Sequence, residues 1–489
     1  MHDLLIENKT QTQILDDIFR QSGGVEDYDY FEEYAIENPQ NARIVFYSCL
    51  LKEQEKKRCR NLKDFWINEL RTGNEFYRIK SEAESYHEFA YPMGYAMENT
   101  TYCNAKCTFC THEKLIREGD RICLMLQIDE AKYRIRKLKL YQLILQPDNP
   151  GLLDVTGFGE SFINPDFFQI LEYAKKFWNE ILVTTNGSLL EEKTIRRFMQ
   201  MDLPHLDMSL CYFDKNSYEG QLKLPYDTTL ENMQNVFLIR NAMNARTQLK
   251  IHIFDNELNS EKDRIEFKNL FGKLARPSDY VYTRNYDENV ENGLHTKNRK
   301  REIGRCFPLY EQLVVDVDGH ILPCCASLSH RLSKELCCGN ITDEIGDVLR
   351  KINKIRDEQK RGIFIDICQS CSLAYEYHVQ DIYNMEVENL LDFCKCHSRL
   401  LIYGAGDIGG RISRWLHFNG IDFEGYVVSD QNGSTTKYGK KIYDIKEIVI
   451  KDYIGIIVAV SEKYKNEIID VLSAYGFNER DIFIQDMFE

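Results

Sequence analysis

No stretch of this 489-residue chain approaches the roughly 18 to 20 consecutive apolar residues that a membrane span requires, so no inserted segment is expected. Positive charge is in deficit: 62 Lys+Arg stand against 77 Asp+Glu, the formal charge is -15, and no basic block reverses the field locally. Such a field repels phosphate backbones, which argues against nucleic acid as a main partner and against a transfer-RNA substrate. Residues 1–8 have neither a basic n-region nor a long apolar h-region, and a cytoplasmic location is expected. Proline is scarce, ten in all, and no Gly/Ser-rich tract, internal repeat or low-complexity segment interrupts the chain. Its parts should therefore be joined by short, packed connections.

What is present is apolar material for a core, 43% of residues, in a chain too long for one ordinary domain. Sixteen cysteines accompany it. In a reducing compartment they point to metal or redox chemistry before disulfides. Cys103, Cys107 and Cys110 form one knot; Cys306, Cys324, Cys325, Cys337, Cys338, Cys368 and Cys371 fall within 66 residues. Cys49, Cys59, Cys123 and Cys211 lie singly, as small buried hydrophobes usually do.

Residues 1–90 carry helix-spaced apolar positions, including Leu4, Leu5, Ile14, Leu15, Ile18, Phe65, Trp66 and Leu70, and read as mainly helical. The charged run 52–58 reads as a solvated helix face. From 91 to 300 short apolar runs alternate with longer amphipathic ones: 152–156 before 167–177, 181–185 before 190–199, 206–210 before 230–243, and 249–254 before 264–274. Strand followed by helix, repeated, means parallel strands in a βα barrel or an open sheet, with reactive groups on the loops after the strands. Residues 301–392 are dominated by cysteine and read as a metal-stapled module. Residues 397–489 open with an apolar strand, a glycine turn and a helix.

The knot offers three thiolates within eight residues, enough for one loop to wrap one face of a metal centre. A structural zinc needs a fourth protein ligand, and His112 is available. A four-iron cluster held by three cysteines keeps one iron open, which suits catalysis. The C-x3-C-x2-C spacing, with Phe109 just before the third cysteine, resembles the radical S-adenosylmethionine (SAM) superfamily, and the likeness runs from about Tyr91 to Tyr286. The resemblance implies an α/β chain with a partial (β/α)6 TIM-like barrel, in which Cys103, Cys107 and Cys110 bind a 4Fe-4S cluster and Phe109 lies near the adenine of SAM. The family's Gly-Gly-Glu-like turn, which holds the SAM amino group, resembles Gly157-Phe158-Gly159-Glu160, with Phe158 departing from the double glycine. Without the knot, that turn would read as a strand end with an incidental acid. Asn186 and Ser209 match positions near the methionyl or ribose hydroxyls, or else cap loops.

Cys306, twelve residues to Gly319 and four more to Cys324 resemble the first half of SPASM, an auxiliary cluster-binding extension of these enzymes. Cys368 and Cys371 add a C-x2-C pair, so Cys306, Cys324, Cys368 and Cys371 could complete one auxiliary 4Fe-4S cluster. Position 377 is Tyr where the full pattern continues with cysteine, which favours the shortened, single-cluster relative called the twitch. Cys325 could replace Cys324, Cys337 and Cys338 are unassigned, Cys394 and Cys396 read equally as linker thiols or as ligands, and a zinc ribbon is the competing reading. Near the C-terminus, Gly404, Gly406 and Gly409 follow a strand and open a helix, and Asp430 ends the next strand 21 residues beyond Gly409. These are features of a Rossmann-like domain for a nucleotide or nucleotide-sugar, or of a structural docking domain.

Together these features lead to the expectation of a radical SAM enzyme that abstracts a hydrogen atom for oxidation or epimerisation of a small-molecule, sugar-like or peptide substrate. A flavodoxin or ferredoxin would be the reducing partner. Tyr282, Arg284 and Glu257 follow late strands and could face substrate or hold ordinary positions. The competing class is a non-catalytic, metal-stabilised ligand-binding or redox-sensing protein.

Overall fold

The computed structural model describes residues 28–40, 42–48, 72–84, 94–119, 121–146, 151–285, 290–291, 294–295, 306–325, 328, 336–365, 368, 387–418, 420–429, 435–437, 440–448, 454–460 and 464–484. They divide into two compact units, 1–303 with 308–372, and 304–307 with 373–489. Among the described residues no helix is long and apolar enough to cross a membrane. Cys49, Cys59, Cys371 and Asp430 lie outside the described residues.

The first unit is built on one sheet. Strands β1 (Gly94–Met97), β2 (Leu152–Asp154), β3 (Ile181–Thr185), β4 (His205–Cys211), β5 (Gln248–Asp255) and β6 (Tyr280–Asn285) lie in that order, each parallel to the next. A small hairpin, β7 (Val290–Glu291) with β8 (Leu294–His295), stands apart. Beyond β1 the sheet continues through parallel β9 (Gln312–Val315), then antiparallel β10 (His320–Leu322) and β11 (Gly339–Asn340). Among the described residues β6 has only β5 beside it, so the α/β sheet stays open, a partial barrel.

The described N-terminal helices are α1 (Tyr28–Glu37), α2 (Ala42–Ser48) and α3 (Asn74–Glu84). After β1 come α4 (Thr111–Arg117) and α5 (Ile128–Leu145), then α6 (Phe167–Ala174), α7 (Glu192–Gln200), α8 (Lys215–Leu222), α9 (Tyr226–Met243) and α10 (Glu261–Gly272) between successive strands. The chain continues through α11 (Phe307–Glu311) and α12 (Ile345–Lys360). Helix α5 buries Arg134, Arg136 and Lys137. Each is paired: Arg134 donates to the Asp316 and Val317 carbonyls at 2.6 and 3.0 Å, Arg136 Nε to Glu32 at 3.0 Å, and Lys137 pairs with Glu32. These pairs tie α1 and the β9–β10 turn to the barrel.

Strand alternation sorts the sheet into two faces. Leu153, Val183, Leu206, Met208, Leu210, Leu249, Ile251 and Ile253 are buried aliphatics on one face. The alternate positions of the adjacent strands β4 and β5, Asp207, Ser209, Lys250 and His252, carry polar groups on the other.

The second unit has strand order β14-β15-β13-β12-β16-β17, with β12 (Arg399–Tyr403), β13 (Gly425–Val428), β14 (Thr436–Lys437), β15 (Lys440–Asp444), β16 (Ile454–Val458) and β17 (Ile482–Ile484). All neighbours are parallel except β14 with β15. Helix α13 (Val387–Cys396) precedes β12, α14 (Asp407–Phe418) follows the glycine turn, and α15 (Lys465–Ala474) follows β16. Cys394, an expected linker thiol or ligand, is buried in the apolar cluster with Leu400, Ile402, Trp415 and Ile457.

Candidate functional site

The loop 103–110 leaves β1 and is fastened from below. Lys106 N donates to Leu222 O at 3.0 Å and Thr108 N to Gln221 O at 2.9 Å, at the end of α8, while Cys110 N closes a turn on Cys107 O at 3.1 Å. Phe109 packs edge-on against Phe254 at 5.3 Å and Tyr212 at 6.1 Å, so its ring anchors the loop to the ends of β4 and β5. The three cysteines are partly exposed. Burial pushes the Cys103 thiol up to about 11 and raises Cys107 and Cys110, with the neighbouring thiols adding to the shifts of Cys103 and Cys107.

The glycine turn after β2 is brought to this loop. Glu160 N donates to Tyr102 O at 2.8 Å, next to Cys103, and the Glu160 carboxylate raises the Cys103 thiol further. A Cβ at Gly159 would collide with the Thr100 and Tyr102 carbonyls, and one at Gly157 with the Glu98 side chain. The glycines thus serve close approach between the turn and the protein's own β1 segment. Glu160 is buried and accepts from Thr185 Oγ1 at 2.8 Å, Asn186 N at 2.8 Å and Phe162 N at 3.4 Å; burial raises its carboxyl against these bonds. Two carboxylate oxygens offer about four acceptor positions, so three donors leave room for a further cation.

Asn186 spends its side chain locally: Oδ1 accepts from Ser188 N at 3.0 Å and Ser188 Oγ at 2.6 Å, and Nδ2 donates to Asn104 Oδ1 at 3.0 Å. It caps a loop and tethers the cysteine loop to β3. Ser209 sits on β4 opposite His252 and offers its carbonyl to the Cys211 thiol at 3.7 Å.

Behind the loop lies a group that spacing did not reveal. Glu98 and Arg121 form an ion pair with both side chains fully buried, and Glu98 also accepts from Phe158 N at 2.9 Å and Val317 N at 3.0 Å. Arg121 Nε and Nη1 are buried with no hydrogen-bond partner, and its charge lowers the Cys110 thiol against the stronger effect of burial. A buried cation with unspent donors that acts on Cys110 fits a thiolate-ligated, anionic cluster. The zinc arrangement fits less well. His112 Nε2 is bonded to the Thr101 carbonyl. Zinc–sulfur bonds of about 2.3 Å would gather the thiols to within about 4 Å of one another. Among the described residues no such cysteine group is within 4.8 Å; Asp316, Asp318 and His320 are the only group that close.

Cys211, expected to be an isolated core thiol, is buried at the end of β4 with φ 65° and acts electrostatically on Cys107. Its thiol is raised to about 12, chiefly by burial, with Asp207 and Cys110 adding to the shift against Arg284. Cys123 is exposed. Asp154 is pushed up to about 6, chiefly by burial, with the Asp207 carboxylate adding to it. Tyr282 stacks near His252 at 5.4 Å, whereas Glu257 is exposed.

In the cysteine-rich stretch, Gly319 has φ 87° and its place for a Cβ is crowded by Asn340, which accounts for glycine between Cys306 and Cys324. Cys306 is buried, Cys324 and Cys368 are partly exposed, and Cys325 is exposed with its N–H donating to Gln312 Oε1 at 2.8 Å. The Cys325 thiol is raised to about 12 by desolvation and by Cys324, and Asp154 and Arg284 also act on it. In the second unit, Gly404 has φ 110° and Gly409 packs against the Gly404 carbonyl, while Gly406 has open space around it. Lys437 Nζ donates to the Ala405 and Gly406 carbonyls at 2.6 and 2.7 Å.

Residues 97–263 match the radical SAM superfamily model, and residues 306–372 match the iron-sulfur cluster-binding domain SPASM. The antilisterial bacteriocin subtilosin biosynthesis protein AlbA of Bacillus subtilis (strain 168) is 25% identical over 160 residues, 32% of this chain, and the match spans 30% of that relative's length. Streptococcus suis SuiB bound to S-adenosylmethionine is similar with a TM-score of 0.43 and 16% identity, over 72% of this chain and 87% of that one. BtrN in complex with AdoMet and 2-DOIA gives 0.35 and 14%, over 58% and 92%. The chain carries a radical SAM core, followed by an SPASM iron–sulfur cluster-binding domain.

Proposed function

We propose that this protein reductively cleaves SAM and abstracts a hydrogen atom from its substrate, leading to oxidation or epimerisation. Cys103, Cys107 and Cys110 would hold the 4Fe-4S cluster, and Glu160 with the backbone of 157–159 would receive the SAM ammonium. The observation that carries this reading is the hydrogen bond from Glu160 N to Tyr102 O at 2.8 Å, which brings a buried carboxylate beside the first cysteine. When bound, SAM and its reduced cluster supply a 5'-deoxyadenosyl radical that attacks an unactivated C–H bond. The chain's part is to hold, orient and exclude water. Phe109 fixes the loop, Asn186 and Asn104 tie it to β3, and Arg121 sets a positive charge behind Cys110.

Cys306, Cys324, Cys368 and Cys371 are the proposed ligands of one auxiliary 4Fe-4S cluster, with Cys325 as a substitute for Cys324. A peptide is favoured among the substrate classes by the name of the relative AlbA, a bacteriocin biosynthesis protein. A ferredoxin or flavodoxin would supply electrons. For the C-terminal unit we retain nucleotide or nucleotide-sugar binding, supported by the open space at Gly406. Anaerobic reconstitution tests the whole: about eight irons from two clusters and release of 5'-deoxyadenosine on reduction are expected. Bound zinc without SAM cleavage would support the non-catalytic class.

A further inference from the structure

We propose that His252, aligned by Asp207, is the proton acceptor for a substrate carbon that bears a hydroxyl or amino group; the inference rests on the radical SAM reading. On β5, Leu249, Ile251 and Ile253 are fully buried aliphatics, whereas His252 shares its face with Phe254, whose ring meets Phe109 of the cysteine loop. Two residues along a strand is about 7 Å. The side chain of His252 is 3% exposed, and its ring lies near those of Phe254 and Tyr282, with centroids at 6.1 and 5.4 Å.

Its Nδ1 faces Asp207 Oδ1 at 3.5 Å, and both atoms are buried without a hydrogen-bond partner. Among the described residues Nε2 makes no hydrogen bond either. Unsatisfied polar atoms in a packed interior are costly, and an aliphatic pair would serve packing better. The dyad also stands near the reactive loop: Asp207 acts on Cys211, and Cys211 acts on Cys107. Other charged groups around it are Asp154 from β2 and Lys250 from β5, and Arg284 of β6, opposite Phe254, acts on Cys211.

The balance of the step is complete with these groups and the domains already assigned. A C–H hydrogen atom goes to the deoxyadenosyl radical, giving 5'-deoxyadenosine. The O–H or N–H proton on the same carbon goes to His252 Nε2. The remaining electron goes to a one-electron oxidant, an oxidised iron–sulfur cluster of the 306–372 domain, and a C=O or C=N bond forms. Asp207 is a positioning residue that keeps the imidazole proton on Nδ1 and Nε2 free to accept.

Two measurements test this. Ring-15N-labelled histidine in the full chain, before any cluster is loaded, should show His252 protonated on Nδ1, with that preference lost in Asp207→Asn and kept in Asp207→Glu. In the loaded protein a perdeuterated cell extract serves as the hydrogen source. His252→Gln and His252→Asn should still pass deuterium into 5'-deoxyadenosine, which also reports an intact fold. They should lose about 100-fold or more in electron delivery to the clusters in a single turnover, followed by EPR. Undiminished electron delivery, a parallel loss of label transfer and delivery, or an Nε2-protonated His252 would overturn the proposal. No deoxyadenosine from the unaltered protein would sink the radical reading itself, and this inference with it.

Discussion

The two units treat buried charge in opposite ways. The first buries Glu98 with Arg121 and Arg240 with Asp279 completely, and leaves Arg121, Asp207 and His252 with unspent polar atoms. The C-terminal unit packs Leu400, Ile402, Ile412, Trp415, Tyr426 and Ile457 into an apolar cluster and keeps Arg399–Glu424 and Lys440–Asp422 near solvent. Its only buried polar or charged residues among those described are Ser413 and Lys465. Both units use a strand, a glycine turn and a helix, and the first places the buried Glu160 carboxylate at its turn. Desolvated charge contributes little net stability, so its concentration in one unit marks where chemistry is expected.

Substitutions should separate the two regimes. Arg121→Met strands Glu98 in the interior and should cost about 3–5 kcal/mol in urea unfolding. A loss below about 1 kcal/mol would mean the pair is hydrated. Lys139, whose ammonium lies 4.8 Å from the Trp178 ring, is lowered to about 8 by burial. The unfolded chain keeps that proton to about 10.5, so the penalty is present below pH 8 and is relieved as pH rises from 8 to 10.5. Lys139→Met should therefore stabilise at pH 7, by at most about 3 kcal/mol, and the gain should vanish above pH 10.5.

Gly159→Ala should cost about 1–3 kcal/mol by forcing the turn off the β1 segment, with a matching loss of SAM affinity. Gly406→Ala, with nothing within 4 Å of its place for a Cβ, should stay within about 0.5 kcal/mol. Equal effects at the two glycines would erase the contrast between the turns. Arg399→Met should likewise change stability by about 1 kcal/mol or less, since Arg399 and Glu424 share a partly exposed bidentate pair at 2.7 and 2.8 Å.

Much of the framework was legible from periodicity. The runs 181–185, 206–210 and 249–254 became β3, β4 and β5 to within a residue at each end, and the stretch 190–199 became α7. The cysteine knot and the turn 157–160 were legible because each is local. Helix α5 was not, since Arg134, Arg136 and Lys137 break its apolar stripe, and only distant carbonyls and Glu32 make their burial tolerable. The dyad of Asp207 and His252 lies 45 residues apart in sequence and needs the β4–β5 register to bring it together. Glu98 with Arg121 likewise carries no spacing signature. The purpose of Gly157 and Gly159 also emerged only in three dimensions, as contact with β1 and its extension.

The central claim is that three cysteines hold a cluster with one iron open to SAM. The EPR spectrum of the anaerobically reconstituted, dithionite-reduced Cys324→Ala/Cys368→Ala protein, recorded before and after SAM is added, tests it most directly. A changed cluster signal on addition, absent when Cys107→Ala is also introduced, is the predicted result. A signal that SAM leaves untouched would contradict the account.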